Sequence, residues 1–277
     1  MLTKEAIKEL AQAQAIDAAR GAVDGGFAEE RGLIALPEEF NLHDIEDKLV
    51  ERRRARGTMR TMAMGDFARY ITDHKSGAGA AVFVDPDKMA ATAVLNLGAP
   101  NAPGQADDLA ILGLKSTAPY GALKHITGLP VRQQVVAEFL EDWAPHVECF
   151  TDTECQAQAT VARAAAAVRK ITIESARKLE STVAALSASS SAFESIEASS
   201  TETLPLFLSF KCVPYHGLTE RLFWMRLGVI ASDKPQVSLR IINAEQHAEQ
   251  MAEELAALVR SNVTDLPVIV GTYSRGA

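Results

Sequence analysis

A cluster of five arginines is the strongest chemical signal in this sequence. Its members share nine positions and are Arg52, Arg53, Arg54, Arg56 and Arg60. Guanidinium groups form paired hydrogen bonds to phosphate and carboxylate oxygens, so such a cluster can bind nucleic acid by neutralising its backbone. The alternative is a solvated helix end whose arginines pair with nearby acids, namely Glu38, Glu39, Glu46, Asp47 and Glu51. The five arginines are candidate nucleic-acid or phosphate ligands, and the structural alternative stays open.

Histidine and cysteine residues that could bind zinc are present, but they lack the spacing of known zinc-binding motifs. His146, Cys149 and Cys155 could supply three ligands. No matched second pair accompanies them, and no His-Glu-x-x-His motif is present. We therefore predict a surface histidine beside two small buried thiols, with no bound metal and no cofactor.

Motifs that hold phosphate or activate a nucleophile are missing from the sequence. It contains no Gly-x-x-x-x-Gly-Lys-Ser/Thr loop and no Gly-x-Ser-x-Gly turn. Gly77-Ala-Gly79 precedes a predicted strand, whereas a dinucleotide fold needs its glycines after the strand, at the start of a helix. No catalytic residue is predicted from these motifs.

Two aspartates and a lysine leave one enzymatic alternative open. Many metal-dependent nucleases hold a divalent ion with a Pro-Asp pair and a later acid-x-Lys motif. Asp85 and Asp87 flank Pro86 in a predicted hairpin turn, and Lys115 ends a predicted strand. The residue two before that lysine is Gly113, so the second carboxylate of the pattern is missing.

The composition indicates a globular chain with a core. Its 277 residues are 47% hydrophobic and 23% charged, which are ordinary values for a folded protein. A net charge of -8 argues against a surface that binds nucleic acid everywhere, but it allows a local basic patch. The chain has three cysteines, no apolar leader-like segment and no run of about 18 apolar residues. We therefore expect a cytoplasmic protein with no membrane partner.

Periodicity predicts an α+β fold with antiparallel sheets and flanking helices. Helical spacing covers residues 3–19, 41–50, a segment capped by Asp66, and residues 131–143, 151–168 and 244–262. Strands are predicted at residues 80–84, 91–97, 109–115, 170–174, 204–213, 221–230, 236–242 and 268–270. The first two strands should form a hairpin, and the three between residues 204 and 242 an antiparallel meander.

Three regions follow from this order of elements. They are an N-terminal helical arm over residues 1–30, an α/β module over 31–150, and a helix plus antiparallel sheet module over 151–277. The first helix has a thin apolar stripe of small residues, which suits either a mobile arm or a helix that packs on another subunit. Ser187–Thr203 is rich in Ser, Ala, Glu and Thr, which predicts a flexible surface segment or, alternatively, a pair of polar strands.

Several segments in a fixed order carry a family likeness. They are residues 35–47, 53–58, 66–70, 82–85, 91–96, 134–143, 204–205, 221–242 and 266–271. On these segments the chain from about residue 35 onward resembles the YfdQ-like phage and prophage proteins, a domain family of unknown function. The resemblance implies a phage- or prophage-encoded protein of the bacterial cytoplasm, from genes that often lie near recombination and DNA-metabolism genes. The family has no established catalytic residues to carry over.

The leading functional hypothesis is a non-enzymatic accessory protein. It would self-associate as a homo-oligomer and bind nucleic acid or an acidic partner through the arginine cluster. One alternative is a metal-dependent DNA-processing enzyme with an unrecognised site that uses Asp85, Asp87 and Lys115. The other is a purely structural homo-oligomer, in which the arginines pair with the acidic 38–51 region of a neighbouring subunit.

Overall fold

The computed structural model describes residues 3–24, 55–75, 79–171, 204–230 and 235–274. Several predictions lie outside these ranges: the helix at 41–50, most of the strand at 170–174, the segment 187–203, and Arg52, Arg53 and Arg54. The chain consists of two units, residues 1–55 and residues 56–277.

Helix α1 (Lys4–Asp24) belongs to the first unit. The backbone N–H of Ala6 donates a hydrogen bond to Thr3 Oγ1 at 3.3 Å. This bond satisfies one of the N–H groups that the start of a helix leaves open. The predicted helix from Thr3 is confirmed, and it continues past Ala19 to Asp24.

The second unit combines helices and short strands. Its helices are α2 (Met64–His74), α3 (Ala118–Ile126), α4 (Gln133–Asp142), α5 (Val161–Arg169) and α6 (Ala244–Asn262). The strands of its first half are β1 (Gly57–Thr61), β2 (Ala81–Asp85), β3 (Ala90–Val94), β4 (Gly98–Ala99), β5 (Ala102–Pro103), β6 (Asp108–Gly113) and β7 (Val131–Arg132). The remaining strands are β8 (Val147–Phe150), β9 (Gln158–Ala159), β10 (Phe207–Cys212), β11 (Arg221–Ile230), β12 (Gln236–Ile241) and β13 (Val268–Val270). The predicted α+β class is confirmed.

A five-stranded sheet runs in the order β1-β6-β3-β2-β13. The central strand β3 is antiparallel to both of its neighbours, β2 and β6, whereas β1 and β13 join the two edges in parallel. The predicted hairpin of β2 and β3 is confirmed. One face of the sheet is buried under α2 and α6 through side chains such as Val82, Val84 and Leu112, each 0% exposed.

A six-stranded sheet runs in the order β7-β12-β11-β10-β8-β9, and all its pairings are antiparallel. It contains the predicted meander of β10, β11 and β12. Helices α3, α4 and α5 pack on one face, which we call the inner face. There the rings of Phe139 and Phe210 stack with centroids 5.6 Å apart, and those of Tyr120 and Phe223 with centroids 5.4 Å apart. Burying one face and exposing the other is typical of antiparallel sheets.

Helix α6 connects the two sheets. It packs on α2, β2 and β13 of the five-stranded sheet. Its first half also contacts β11 of the six-stranded sheet, where the His247 ring lies 4.8 Å from the Phe223 ring. Met251, Leu255 and Val259 are buried as expected, whereas Leu258 is only half-buried.

Boundaries of three predicted helices were wrong. The helix predicted over 131–143 is Gln133–Asp142, because Val131 and Arg132 pair with β12 as strand β7. Helix α2 begins at Met64 with Ala63 in the cap position, so Asp66 lies in the first turn, where its charge favours the helix dipole without capping it. The helix predicted over 151–168 is confined to α5, which Thr160 caps. Before α5, Asp152 accepts hydrogen bonds from the backbone N–H groups of Gln156 and Ala157. A short polar side chain that binds nearby backbone groups in this way stabilises a loop in competition with a helix.

Strand β1 was missed, because a segment that follows four closely spaced arginines and contains a fifth, Arg60, lacks the apolar alternation of a strand. It is held instead by parallel pairing with β6, a contact between residues about fifty positions apart. The region boundaries at residues 30 and 150 stay predictions. Both sheets contain strands from either side of residue 150. Among the described helices, none combines the length and apolarity required to cross a bilayer.

Candidate functional site

The face of the six-stranded sheet opposite α3, α4 and α5 carries the most unusual set of side chains. Successive residues of a strand point to opposite faces. On β11, Phe223 and Met225 are 1% and 0% exposed on the inner face, so Trp224 and Arg226 point to the other face. We call that other face the cationic face. It comprises Arg132 on β7, Phe207 and Lys211 on β10, Trp224 and Arg226 on β11, and Arg240 on β12.

Arg226 and Arg240 lie directly opposite each other across β11 and β12. Both side chains are exposed. Neither takes part in an ion pair with any of the described residues. Like charges directly opposite in an antiparallel pair destabilise the sheet. The position therefore suits an anion that is bound from outside.

Aromatic rings lie next to this arginine pair. Phe207 is directly opposite Arg226 on one side and Phe150 on the other. The ring of Trp224 lies 5.3 Å from that of Phe150, with an interplanar angle of 41°. Phe150 is only 5% exposed, whereas Phe207 and Trp224 are half-buried. The buried ring thus supports an aromatic surface whose outer side can contact a flat ligand.

Cations outnumber acids among the described residues of the cationic face. Glu148 on β8 is its exposed carboxylate, and it accepts a hydrogen bond from Ser209 at 3.3 Å. Lys211 pairs with Glu220 at 2.8 Å, and this hydrogen bond raises the pKa of the lysine. Arg132 has no such partner among the described residues. The face can therefore attract a negatively charged ligand at Arg132, Arg226 and Arg240.

The cationic face ends in an open depression of about 530 Å³ at the β7 edge. It is lined by Arg132, Gln133, Gln134, Arg169 and Pro235. Arg169 is already paired with Glu141, with Nη2 2.6 Å from Oε2, which lowers the pKa of that carboxyl group. Among the described residues that line the depression, Arg132 is therefore the cation without an ion-pair partner, and it lies directly opposite Gln236 of β12.

Two members of the predicted arginine cluster, Arg56 and Arg60, are among the described residues and do not lie on the cationic face. Arg56 is half-buried just before β1, and Arg60 is exposed on β1, at the edge of the five-stranded sheet. Arg52, Arg53 and Arg54 lie outside the described residues. The structure does not bring Arg60 to the cationic face, and the role predicted for the cluster remains a prediction.

The residues of the zinc and nuclease alternatives have local structural contacts. Cys149 is fully buried on β8, where burial raises the pKa of its thiol to about 12, and His146 Nδ1 lies 2.8 Å from the carbonyl oxygen of Lys211. Asp85 Oδ1 accepts hydrogen bonds from the backbone N–H groups of Asp87 and Lys88 at 3.1 and 3.2 Å. In the described ranges, no group of three His, Cys, Asp or Glu side chains is arranged to hold a metal ion.

Sequence reasoning missed the cationic face although it found the strands. The alternation within Arg221–Ile230 puts Trp224 and Arg226 on one side and Phe223 and Met225 on the other. That signal was available. The sequence does not predict the register that pairs Arg226 with Arg240, because this register depends on how β11 and β12 align.

Comparisons with known proteins assign a family and no activity. Neither the search of curated proteins nor that of solved structures returned a match. The family model described as an uncharacterized conserved protein, DUF2303, matches residues 5–273. Because this match covers nearly all of the 277 residues, the chain belongs to the DUF2303 family.

Proposed function

We propose that this protein acts by binding nucleic acid, without catalysis, through the cationic face. The observation that carries the proposal is the cross-strand pair of Arg226 and Arg240. Two cations so placed repel each other in the free protein, and a phosphate group between them would replace that repulsion with charge-assisted hydrogen bonds. In a chain of net charge -8, a face with an excess of cations is a local exception that suits a polyanion.

A second copy of the chain would fit this face poorly. Symmetric packing of the face on itself would bring Arg226 and Arg240 of one copy towards the same residues of the other. Burying such charges without partners costs several kcal/mol, as an order-of-magnitude estimate. A polyanion avoids this cost, because its phosphates supply the missing counter-charge.

The biological setting that we propose follows the segment likeness alone. It is the cytoplasm of a bacterial host, with the protein encoded by a phage or prophage. The predicted arginine cluster, which includes the exposed Arg60, would be a separate contact with nucleic acid. Variants of Arg53 and Arg54 test that contact separately from the cationic face.

Fluorescence anisotropy of a labelled DNA oligonucleotide tests the proposal. Binding is measured at about 50 mM and about 200 mM salt, since neutralised phosphates make the affinity fall steeply with salt. The variants are Arg226→Gln with Arg240→Gln, and separately Arg53→Ala with Arg54→Ala. The matched control is Arg163→Gln, which removes an exposed positive charge from α5, on the opposite side of the sheet.

The expected result is salt-dependent binding that the Arg226→Gln/Arg240→Gln protein largely loses and the Arg163→Gln protein keeps. The slope of log affinity against log salt is negative, and its magnitude should decrease by about 0.7–0.9 for each phosphate contact removed. Absence of binding at low salt would disprove the proposal. Equal loss in the control protein would show only a response to net charge, and would also overturn it.

Self-association is a second proposal, with a different surface. On the outer side of the five-stranded sheet, Ile269 on the edge strand β13 is 47% exposed and directly opposite Phe83 on β2. Here apolar side chains dominate, so a second copy meets little charge repulsion. Light scattering should give a mass above that of one chain, and Ile269→Asp should lower it. A strict monomer would end this proposal.

The enzymatic alternative has a direct test. Plasmid DNA is incubated with the protein and Mg²⁺ or Mn²⁺, and nicking is followed on a gel. Cleavage that Asp87→Asn abolishes would replace the binding proposal with a metal-dependent activity at the β2–β3 turn. We expect no nicking.

A further inference from the structure

The width of the six-stranded sheet bears on which nucleic acid its open face can bind. Neighbouring strands lie about 4.8 Å apart, so six strands span about 24 Å. The major groove of B-DNA is only about 12 Å wide. The sheet as a whole cannot enter the groove of a duplex, so a duplex could touch the cationic face only with its backbone.

The aromatic rings on the cationic face distinguish single strands from duplexes. In a duplex the flat faces of the bases are stacked inside and unavailable to side chains. In a single strand they are free to stack on aromatic rings, which is the usual way that sequence-tolerant single-strand binders hold bases. Trp224 is two residues from Arg226 on the same strand face, and Phe207 is directly opposite Arg226. Rings and phosphate-binding cations are therefore interleaved.

The ring surface is held in position before any ligand binds. Trp224 leans on Phe150, which is 5% exposed, and Phe207 pairs with the same residue across β8 and β10. Trp224 is also directly opposite Ser209, which is 1% exposed. A ring fixed by buried neighbours loses little conformational freedom when a base stacks on it.

We infer that the ligand of the cationic face is single-stranded nucleic acid, with a base stacked on Trp224 beside the phosphates held by Arg226 and Arg240. This inference rests on the proposed function and deepens it. The phosphates supply attraction at the arginine pair, and the bases supply the preference for a single strand. Because every base has a flat face, the preference extends to all sequences.

Tryptophan fluorescence gives a readout that phosphate binding alone would not change. The chain contains two tryptophans, and Trp143 lies at the end of α4, in contact with the core of the protein. In a Trp143→Phe protein, Trp224 is the remaining tryptophan. The probes are a thymidine oligonucleotide, a DNA duplex of the same length, and heparin as a polyanion without bases. Circular dichroism confirms that each variant is folded.

We expect the thymidine oligonucleotide to quench Trp224, and heparin to bind without quenching. In the protein with Trp143 intact, Trp224→Leu should weaken oligonucleotide binding by roughly ten- to a hundredfold, the usual value of one base–aromatic stack. Heparin binding should stay unchanged. The matched control is Leu222→Ala, which truncates an exposed apolar side chain on the same strand face and should alter neither affinity.

Different failures separate the two proposals. If the duplex binds as tightly as the single strand, or if Trp224→Leu leaves oligonucleotide binding unchanged, the single-strand inference is wrong while arginine-dependent binding can persist. If no polyanion binds, the proposed function falls and the inference falls with it. If an acidic peptide displaces the oligonucleotide at comparable concentration, the ligand is a protein and the inference is overturned.

Discussion

Arg221 on β11 and Glu254 on α6 form the most buried ion pair among the described residues. Arg221 Nη2 lies 2.6 Å from Glu254 Oε1, and the two side chains are 11% and 30% exposed. Thr219 Oγ1 donates to the same oxygen at 2.7 Å, and Arg221 Nη1 donates to Gln250 Oε1 at 2.7 Å. This network holds α6 against the end of the six-stranded sheet. The same helix also covers the five-stranded sheet.

Replacing Glu254 with glutamine should lower the free energy of unfolding. Burial opposes the charge of Glu254, but hydrogen bonds from Thr219 and the charge of Arg221 outweigh it, so the pKa of the carboxyl group is lowered. Glu254→Gln leaves Arg221 partly buried with no counter-charge, at a cost of about 2 kcal/mol. Urea denaturation measures the change. The exposed pair of Lys211 and Glu220 provides the control, since Glu220→Gln should change stability by no detectable amount. Equal effects of the two variants would contradict the prediction.

Stability should fall as the pH is lowered below about 6.5, because of His247. Burial, followed by the charge of Arg221, lowers the pKa of this histidine below its ordinary value of 6.5. The unfolded chain then takes up a proton at a higher pH than the folded protein does. The neutral ring therefore contributes its full share to the free energy of unfolding above pH 6.5. This contribution is lost as the pH falls towards the pKa of His247 in the folded protein.

Urea denaturation at about pH 7.5 and pH 5.5 checks this expectation. The loss of stability between the two values should be smaller in His247→Gln than in the original protein. His125→Gln serves as the control, because His125 is exposed on α3. An unchanged loss in His247→Gln would show that other groups cause the acid sensitivity.

Removing one arginine of the cross-strand pair should stabilise the free protein while it weakens ligand binding. Arg240→Gln relieves the repulsion from Arg226, which corresponds to a gain of a few tenths of a kcal/mol at low salt. The gain should shrink in about 1 M salt, where charges are screened within about 3 Å. Thermal unfolding of both single variants and the double variant measures it. Once one arginine has been replaced, replacing the other should bring no further gain. If the double variant gains as much again as the single variant, repulsion between Arg226 and Arg240 is not the cause.

Replacing Gly98 with alanine should disrupt the loop between β3 and β6. Gly98 has a φ of +75°, and an added Cβ would stand 2.1 Å from the backbone nitrogen of Gly104. Positive φ alone costs a non-glycine residue about 1–3 kcal/mol, and the clash with backbone adds to it. Gly113→Ala is the matched control, because its added Cβ would meet nothing within 4 Å. A thermal midpoint for Gly98→Ala equal to that of the control would contradict this account.

The strands of the C-terminal half show what local pattern can predict. Residues 221–230 and 244–262 were predicted with the boundaries that the structure shows, since a long run of apolar alternation or of helical spacing leaves few alternatives. The stretch at 151–168 failed, although it is rich in alanine, because Asp152 and Thr160 each bind nearby N–H groups and divide it into a loop and a short helix. Such local competition is decided by a few hydrogen bonds that composition does not reveal.

The amino-acid sequence by itself determined the α+β class, most elements of the C-terminal half and the inward side of each long strand, because these follow from the spacing of apolar residues along a few turns or pleats. Only the tertiary structure decided that Arg226 faces Arg240, that Trp224 rests on Phe150, and that β1 pairs with β6. These contacts join residues far apart in the chain. Their register is set by how whole strands align over a shared core, and no local pattern contains that information.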